Sequence, residues 1–394
     1  MKAFPTQEIG SLPKFSWRTK PFRGVPLVDA DVKTARDWGE RFRVPGTGDL
    51  FNLLSKRDGF SEEEKHRLVE FSLLYAIKME ERAGSGEGVG LDLVWSGEQA
   101  RTEMYETPVS GIGGFEFIGS VRSFDNKYWK MASIRAPPAY KGNYHLDEFL
   151  FTKKHAVRRV KVPVTDAITI MAWSDNSYYG RKWARKDMPP LERSFSARRE
   201  FTLELAKTIR RVIRGLIENG AEEVQMDIPA ATQYQTVEDI ELVSEAFNET
   251  TKGLLATFSV HSCFPPSVGY GLLFPQLLEM KCRRFSFEYA NRDSLKTGLD
   301  GESREGFKDL KLFKEYGYEG ELGVGVVHVH TDVLPEVAVV RDRILYSAKV
   351  TELPPERLYI NPDCGLRTRS PEVAIKCLDL VVDGAALARK EVCA

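Results

Sequence analysis

Ala256-Thr257-Phe258-Ser259-Val260-His261-Ser262-Cys263-Phe264 is an apolar run that ends in a histidine and a cysteine two residues apart. In a β-strand, residues i and i+2 face the same side, so the imidazole and the thiol are aimed at one point. That donor pair suits zinc. Two further apolar runs end in candidate ligands: Arg284-Phe285-Ser286-Phe287-Glu288, and Leu358-Tyr359-Ile360-Asn361-Pro362-Asp363-Cys364-Gly365. A lone His-x-Cys is short enough to arise by chance, and free cysteines are commonly buried as small hydrophobes. The case for a metal therefore rests on the set. His261 and Cys263 end one predicted strand, Glu288 and Cys364 each end a further one, and a single barrel brings such ends together.

Working outward, strands are predicted near residues 5, 91, 158, 223, 256, 284, 322 and 357, most of them separated by helical text. Eight alternating units form the pattern of an α/β protein of the (β/α)8 TIM-barrel type. Several helix boundaries are legible. Ser61 with Glu64 is a capping box, and Leu68, Phe71, Leu74, Ile77 and Met79 continue it at helical spacing toward Arg82. Leu203, Ala206, Ile209, Ile213, Leu216 and Ile217 trace one helical face closed by Asn219-Gly220. Helices are also predicted after Thr236, over 267–281, 303–317 and 335–350, and after Ser370-Pro371, an N-cap followed by proline at N1. Residues 1–394 read as one barrel with two excursions: an extended N-terminal loop region over 12–59 with one helix near 32–43, and a β-hairpin over 115–135 turning at Asp125-Asn126. Two α/β domains meeting near residue 190 would need a linker-like composition break, and none is visible there. The run from Gly84 to Gly90 follows a helix and precedes a strand, the wrong order for a phosphate cradle.

The composition narrows the function. The 394 residues carry 56 basic and 57 acidic side chains, so nothing in the bulk charge points to nucleic acid, and a small substrate is expected. Five cysteines, an odd number without disulfide-like spacing, fit a reducing compartment. The N-terminus lacks a signal-peptide core, and no stretch approaches the ~20 apolar residues of a membrane span. A cytoplasmic enzyme without a membrane partner is expected. A TIM barrel carries its chemistry at the carboxyl ends of its strands, which here are Ser11, Glu98, Asp227, His261 with Cys263, Glu288, His330 and Cys364.

His261-Ser262-Cys263, Glu288 and the run Asn361-Pro362-Asp363-Cys364-Gly365-Leu366-Arg367-Thr368-Arg369, in that order, resemble the zinc-site motifs of cobalamin-independent methionine synthase. The resemblance extends to Ile9-Gly10-Ser11, Gly97-Glu98, Trp173-Ser174, Gln225-Met226-Asp227 with Pro229-Ala230, and His330, nearly the whole chain, and matches only the catalytic half of that family's longer members. It implies a (β/α)8 barrel in which zinc activates the thiol of homocysteine for methylation to methionine. On that resemblance, His261, Cys263, Glu288 and Cys364 hold Zn2+, while Ile9, Gly10 and Ser11 hold the homocysteine carboxylate. Glu98 and Asp227 bind its ammonium, His330 is the general acid, and Trp173 lies near the methyl donor. Ammonium prefers paired carboxylates, and carboxylate prefers N–H and hydroxyl donors.

Three positions depart from the family pattern: Ile228 stands in place of a glutamate, Ser96 of a histidine, and His328 of an aspartate. They leave the methyl donor open between a methyltetrahydrofolate and a methyl-corrinoid protein. His328 is the rival metal ligand. A related zinc alkyltransferase acting on another thiol, such as coenzyme M, would not need Glu98 and Asp227, and a noncatalytic metal-binding protein would show no turnover.

Overall fold

Residues 12–59 are not an extended loop. The computed structural model, which describes residues 2–85, 90–122, 128–234, 236–263 and 269–392, folds them into three helices: α1 (Ser16–Phe22), α2 (Asp29–Arg41) and α3 (Thr47–Leu54). Only α2 was legible as a periodic pattern. The other two are short and contain or follow Pro and Gly, and burial stabilises them rather than local propensity. Phe15, Trp17, Trp38 and Tyr75 bring their rings together at 5.2–5.8 Å, and the Tyr75 hydroxyl donates to the Ala35 carbonyl at 2.5 Å.

Tyr75 belongs to α4 (Glu62–Glu81), where the capping box forms as expected: Glu64 N–H donates to Ser61 Oγ at 3.2 Å, and Ser61 N–H to the Glu64 carboxylate at 2.7 Å. After β1 (Leu93–Val94) and α5 (Glu106–Gly111), β2 (Ile112–Arg122) and β3 (Tyr128–Tyr140) pair antiparallel as the predicted hairpin, longer than the 115–135 expected. Its Asp125-Asn126 turn lies outside the described residues, as do Gly86–Val89 and Phe264.

The chain continues through α6 (Leu146–His155), β4 (Arg159–Thr165), α7 (Ala167–Ala172), α8 (Ser177–Ala184) and α9 (Pro190–Glu218). It then runs through β5 (Glu223–Asp227), α10 (Val237–Thr251), β6 (Thr257–Ser262), β7 (Arg284–Phe287) and α11 (Lys311–Glu315). β8 (Glu321–Val327), α12 (Val337–Thr351), β9 (Leu358–Pro362) and α13 (Pro371–Val392) complete it. The helix expected over 267–281 is instead two 3-10 turns, Gly271–Leu273 and Gln276–Glu279, because Pro275 interrupts the donor ladder. Over 303–317 a 3-10 turn likewise precedes α11. Among the described residues no helix is long and apolar enough to cross a membrane.

Seven strands form one parallel sheet in the order β1-β4-β5-β6-β7-β8-β9. The predicted opening strand shrinks to two residues that close it: Thr6 bridges Ile360 on β9 and Gln7 bridges Leu93 on β1, both parallel. The hydrogen bonds Ile360 N to Pro5 O (2.8 Å), Gln7 N to Ile360 O (2.9 Å) and Leu93 N to Thr6 O (3.1 Å) make this segment the eighth stave of a (β/α)8 barrel.

Side chains alternate along the staves. Val224 and Met226, Phe258 and Val260, and Phe285 and Phe287 are buried in the hydrophobic core. The alternate positions are polar: Glu223-x-Gln225-x-Asp227 on β5, Ser259-x-His261-x-Cys263 along β6, and Arg284-x-Ser286-x-Glu288 along β7. They meet inside the barrel, where Gln7 Nε2 donates to Ser286 Oγ at 3.3 Å and to Asn361 Oδ1 at 3.1 Å. Strands of an all-parallel sheet usually read as continuous apolar runs. Here a polar column runs through the barrel and delivers chemical groups to both of its ends.

Candidate active site

The carboxyl ends of the staves open into a cavity of about 370 Å³. Its lining includes Ile9, Gly10, Ser11, Glu98, Trp173, Asp227, His261, Cys263, His330 and Cys364. One predicted site residue, Glu288, lies behind this wall, fully buried. Glu103, Met104, Thr232, Gln233, Arg367 and Thr368 also line the cavity and were not assigned a role from sequence. Arg367 and Thr368 lay inside the run quoted for the family resemblance, so a signal for them existed.

At one end of the cavity His261, Cys263 and Cys364 bring one donor atom each to within 4.8 Å of one another. His261 Nδ1 sits 3.1 Å from the Ser286 carbonyl and donates to it, which leaves the Nε2 lone pair free to bind. That Nε2 is buried and makes no hydrogen bond among the described residues. Burial, then Lys161, pushes the imidazole down to about 3, so it is neutral. The Cys263 thiol is held well above its ordinary value, first by its hydrogen bond with Cys364 and then by burial. For Cys364 that same bond lowers the value, but burial and Glu288 outweigh it and the net shift is upward. A neutral imidazole with a bare lone pair beside two crowded thiols is a donor set that a soft or borderline cation fits.

Glu288 stands outside this trio. Its Oε2 accepts from Asn291 Nδ2 at 3.0 Å, and its Oε1 lies 3.4 Å from His330 Nε2. His328 is not part of the trio either: its Nδ1 lies 3.8 Å from Asp363 Oδ2, and its ring packs 5.6 Å from that of His330. Burial, then His330, pushes His328 down to about 4.

At the other end the chain is bent around Gly97 and Glu98, whose φ values are +61° and +55°. A Cβ on Gly97 would lie 2.8 Å from the Leu12 side chain, so only glycine fits there. Glu98 is held left-handed without that freedom, the kind of strain that collects at functional sites. Its Oε1 is 3.2 Å from Arg101 Nη1, and Arg101 Nε is in turn 2.7 Å from Glu148 Oε2. Ser96, which departs from the family's histidine, donates to Glu148 Oε1 at 2.7 Å. A Cβ on Gly10 would come within 3.1 Å of Glu98 Oε1, so the Gly10 backbone lies directly against that carboxylate.

Ile9-Gly10-Ser11 is tied down from three sides. Leu12 N–H donates to the Gly97 carbonyl at 3.0 Å, Leu366 N–H to the Ser11 carbonyl at 2.6 Å, and Gln225 Nε2 to the Ile9 carbonyl at 2.6 Å. Gln225 Nε2 also reaches Asp227 Oδ1 at 2.7 Å. Beneath them lies Lys161, fully buried, which donates to Gln225 Oε1 at 2.6 Å, to the Ile9 carbonyl at 3.2 Å and to the Glu8 carbonyl. This lysine was missed from sequence, although a cation set between Val160 and Val162 inside a strand was a visible signal. Burial, then Glu98, pushes Asp227 up to about 8, and burial pushes Lys161 down to about 8.

Ile228 is fully buried, its N–H donating to the His261 carbonyl at 2.7 Å. Trp173 packs against Trp129 of β3 at 5.6 Å, and Trp129 against Tyr105 at 4.8 Å, so the hairpin supplies part of an aromatic cluster beside the cavity.

A closed (β/α)8 barrel with a soft-donor trio and two carboxylates in one cavity at its catalytic face defines a barrel protein with the site of an enzyme. Comparison with known proteins specifies the family. Residues 299–387 match the family model described as the cobalamin-independent synthase catalytic domain. A methionine synthase of Pyrococcus horikoshii is 32% identical over 389 residues, covering 98% of this chain and 93% of its own. One of Thermoplasma volcanium is 33% identical over 322 residues, covering 79% and 86%. The B12-independent methionine synthase of Shewanella sp. W3-18-1, solved with selenomethionine, shares the fold with a TM-score of 0.72 at 19% identity over 100% of this chain and 99% of its own. The chain belongs to the methionine synthase family and is a methyltransferase.

Proposed function

We propose that this chain transfers a methyl group to the thiol of homocysteine to form methionine, with Zn2+ held by His261, Cys263 and Cys364 and with Glu288 as the fourth protein ligand. The observation that carries this reading is that the soft-donor trio and the cradle of Gly10 against Glu98 line the same cavity. An α-amino acid carries its ammonium and carboxylate one carbon apart, and the cradle offers backbone and hydroxyl donors directly beside a carboxylate. An acceptor without an ammonium would bring no positive charge to Glu98 and Asp227, which disfavours coenzyme M. Bound at these ligands, Zn2+ supplies Lewis acidity that holds a thiol as thiolate at neutral pH.

The chain's own residues do the rest. Ile9, Gly10 and Ser11 orient the carboxylate of homocysteine, and Glu98 with Asp227 hold its ammonium. An ammonium beside Asp227 opposes the burial that raises its pKa and favours the ionised form. Trp173 forms the wall past which the methyl donor enters. His330 is placed to give a proton to a leaving nitrogen when the donor is methyltetrahydrofolate; a methyl-corrinoid protein as donor needs no such proton. The deciding experiment offers zinc-loaded protein homocysteine with methyltetrahydrofolate, its polyglutamate or methylcobalamin. Methionine formation with one donor assigns it, and no methionine with any of them refutes the proposal.

A further inference from the structure

The polar column has a second end. At the amino ends of the staves, opposite the cavity described above, Arg284 is fully buried and its guanidinium stacks 3.9 Å over the Tyr359 ring. It pairs with both Glu223 and Glu321, and each of these carboxylates is shared with a further arginine: Glu223 with Arg159 at 3.1 Å and Glu321 with Arg283 at 2.9 Å. Lys281 joins them around a cavity of about 420 Å³, which is therefore lined by four cations against two carboxylates. Arg284 Nε is buried and makes no hydrogen bond among the described residues. A buried guanidinium with an unsatisfied N–H, in a basin carrying two uncompensated positive charges, is an incomplete arrangement that an anion completes.

We propose that this basin binds a phosphate dianion, free or as the end of a small phosphate monoester. A dianion balances the two excess charges, and tetrahedral oxygens accept from donors converging from several staves, whereas one carboxylate would leave a charge over. The site is separate from the methyl-transfer cavity and does not depend on the function assigned to it. Lys281 and Arg283 form its solvent side, with Arg283 half exposed, so they attract the anion, while Arg284 receives it.

Titration of the whole 394-residue chain with inorganic phosphate at constant ionic strength, followed calorimetrically and by 31P NMR, tests this. Saturable binding is expected, weakened about tenfold or more in Lys281→Glu and in Arg283→Gln, the effect of losing one charge-assisted contact. Lys281 makes no ion pair among the described residues, so Lys281→Glu is expected to fold, which its circular dichroism melt checks. Arg367→Gln, in the upper cavity, is expected to leave phosphate binding unchanged. The proposal is overturned by absence of saturable binding, by wild-type affinity in both basin variants, by loss of binding in Arg367→Gln, or by succinate binding as tightly as phosphate.

Discussion

Zinc binding to this chain should be steeply and specifically pH-dependent, and the slope follows from the metal-free site. Both thiols of the trio are held above their ordinary values, Cys263 chiefly by its bond to Cys364 and Cys364 by burial and Glu288 despite that bond. At neutral pH each carries its proton. His261, pushed down to about 3, carries none to lose. Thiol ligands bind metal as thiolates, so loading the site expels both thiol protons. The dissociation constant for Zn2+ should then fall about a hundredfold per pH unit between about pH 6 and 8, or ~2.7 kcal/mol of binding free energy per unit. Chelator competition at several pH values measures the slope, and proton release into weak buffer measures the stoichiometry directly. In Cys364→Ser the slope should drop to about one proton, with affinity sharply reduced and the barrel still folded. A wild-type slope of one proton or fewer would mean that only one thiol reaches the metal, and the ligand assignment would fail.

Asp227→Asn and Glu98→Gln should each weaken homocysteine binding about tenfold or more while zinc affinity stays near wild type, since each removes a charge facing the ammonium; calorimetry with unchanged homocysteine affinity in both would favour an acceptor lacking an ammonium. With methyltetrahydrofolate as donor, His330→Asn should lower turnover by about 10²–10⁴-fold. Because His330 lies 3.4 Å from Glu288, zinc affinity must be measured alongside; a loss of ~10–100-fold there with turnover kept would make His330 a support for the metal rather than an acid. Lys161 also lies 3.9 Å from the buried Glu8 carboxylate, and Lys161→Met should destabilise the fold by about 3–5 kcal/mol, the effect of breaking a buried ion pair, and raise the KM for homocysteine by loosening Ile9 and Gln225. Glu8 already stands at about 7, raised by burial and restrained by Lys161. A carboxylate raised above its unfolded value loses stability as pH rises, so the variant's deficit should be larger at about pH 8 than at about pH 5 in denaturant melts. A deficit independent of pH would show that Glu8 does not feel Lys161.

The sequence by itself placed the strands that form most of the staves and the His and Cys side chains that gather at one end of the cavity. Period-two alternation in Ala256–Cys263 and Arg284–Glu288 is a local property, and it aimed His261, Cys263 and Glu288 inward wherever those strands were placed. The capping box at Ser61 and the N-cap residues were equally local, which is why α4, α10 and α13 begin where Ser61, Thr236 and Ser370 predicted. Elements whose stability comes from distant partners were hidden. The helices α1 and α2 are held because Phe15 and Trp17 pack on Tyr75 of α4 and Trp38 packs on Phe15, contacts that no window of sequence contains. The eighth stave is two residues long because Thr6 and Gln7 are held between β9 and β1, more than eighty residues away on either count. Lys161 shows the same division: its identity was plain in the text, but only barrel closure brings it beneath Ile9 and Gln225 and makes a buried cation the support of the cavity floor. A residue's direction is set by its own backbone, whereas its partner is set by chain closure, and the cradle, the aromatic wall and the basin around Arg284 all depend on partners.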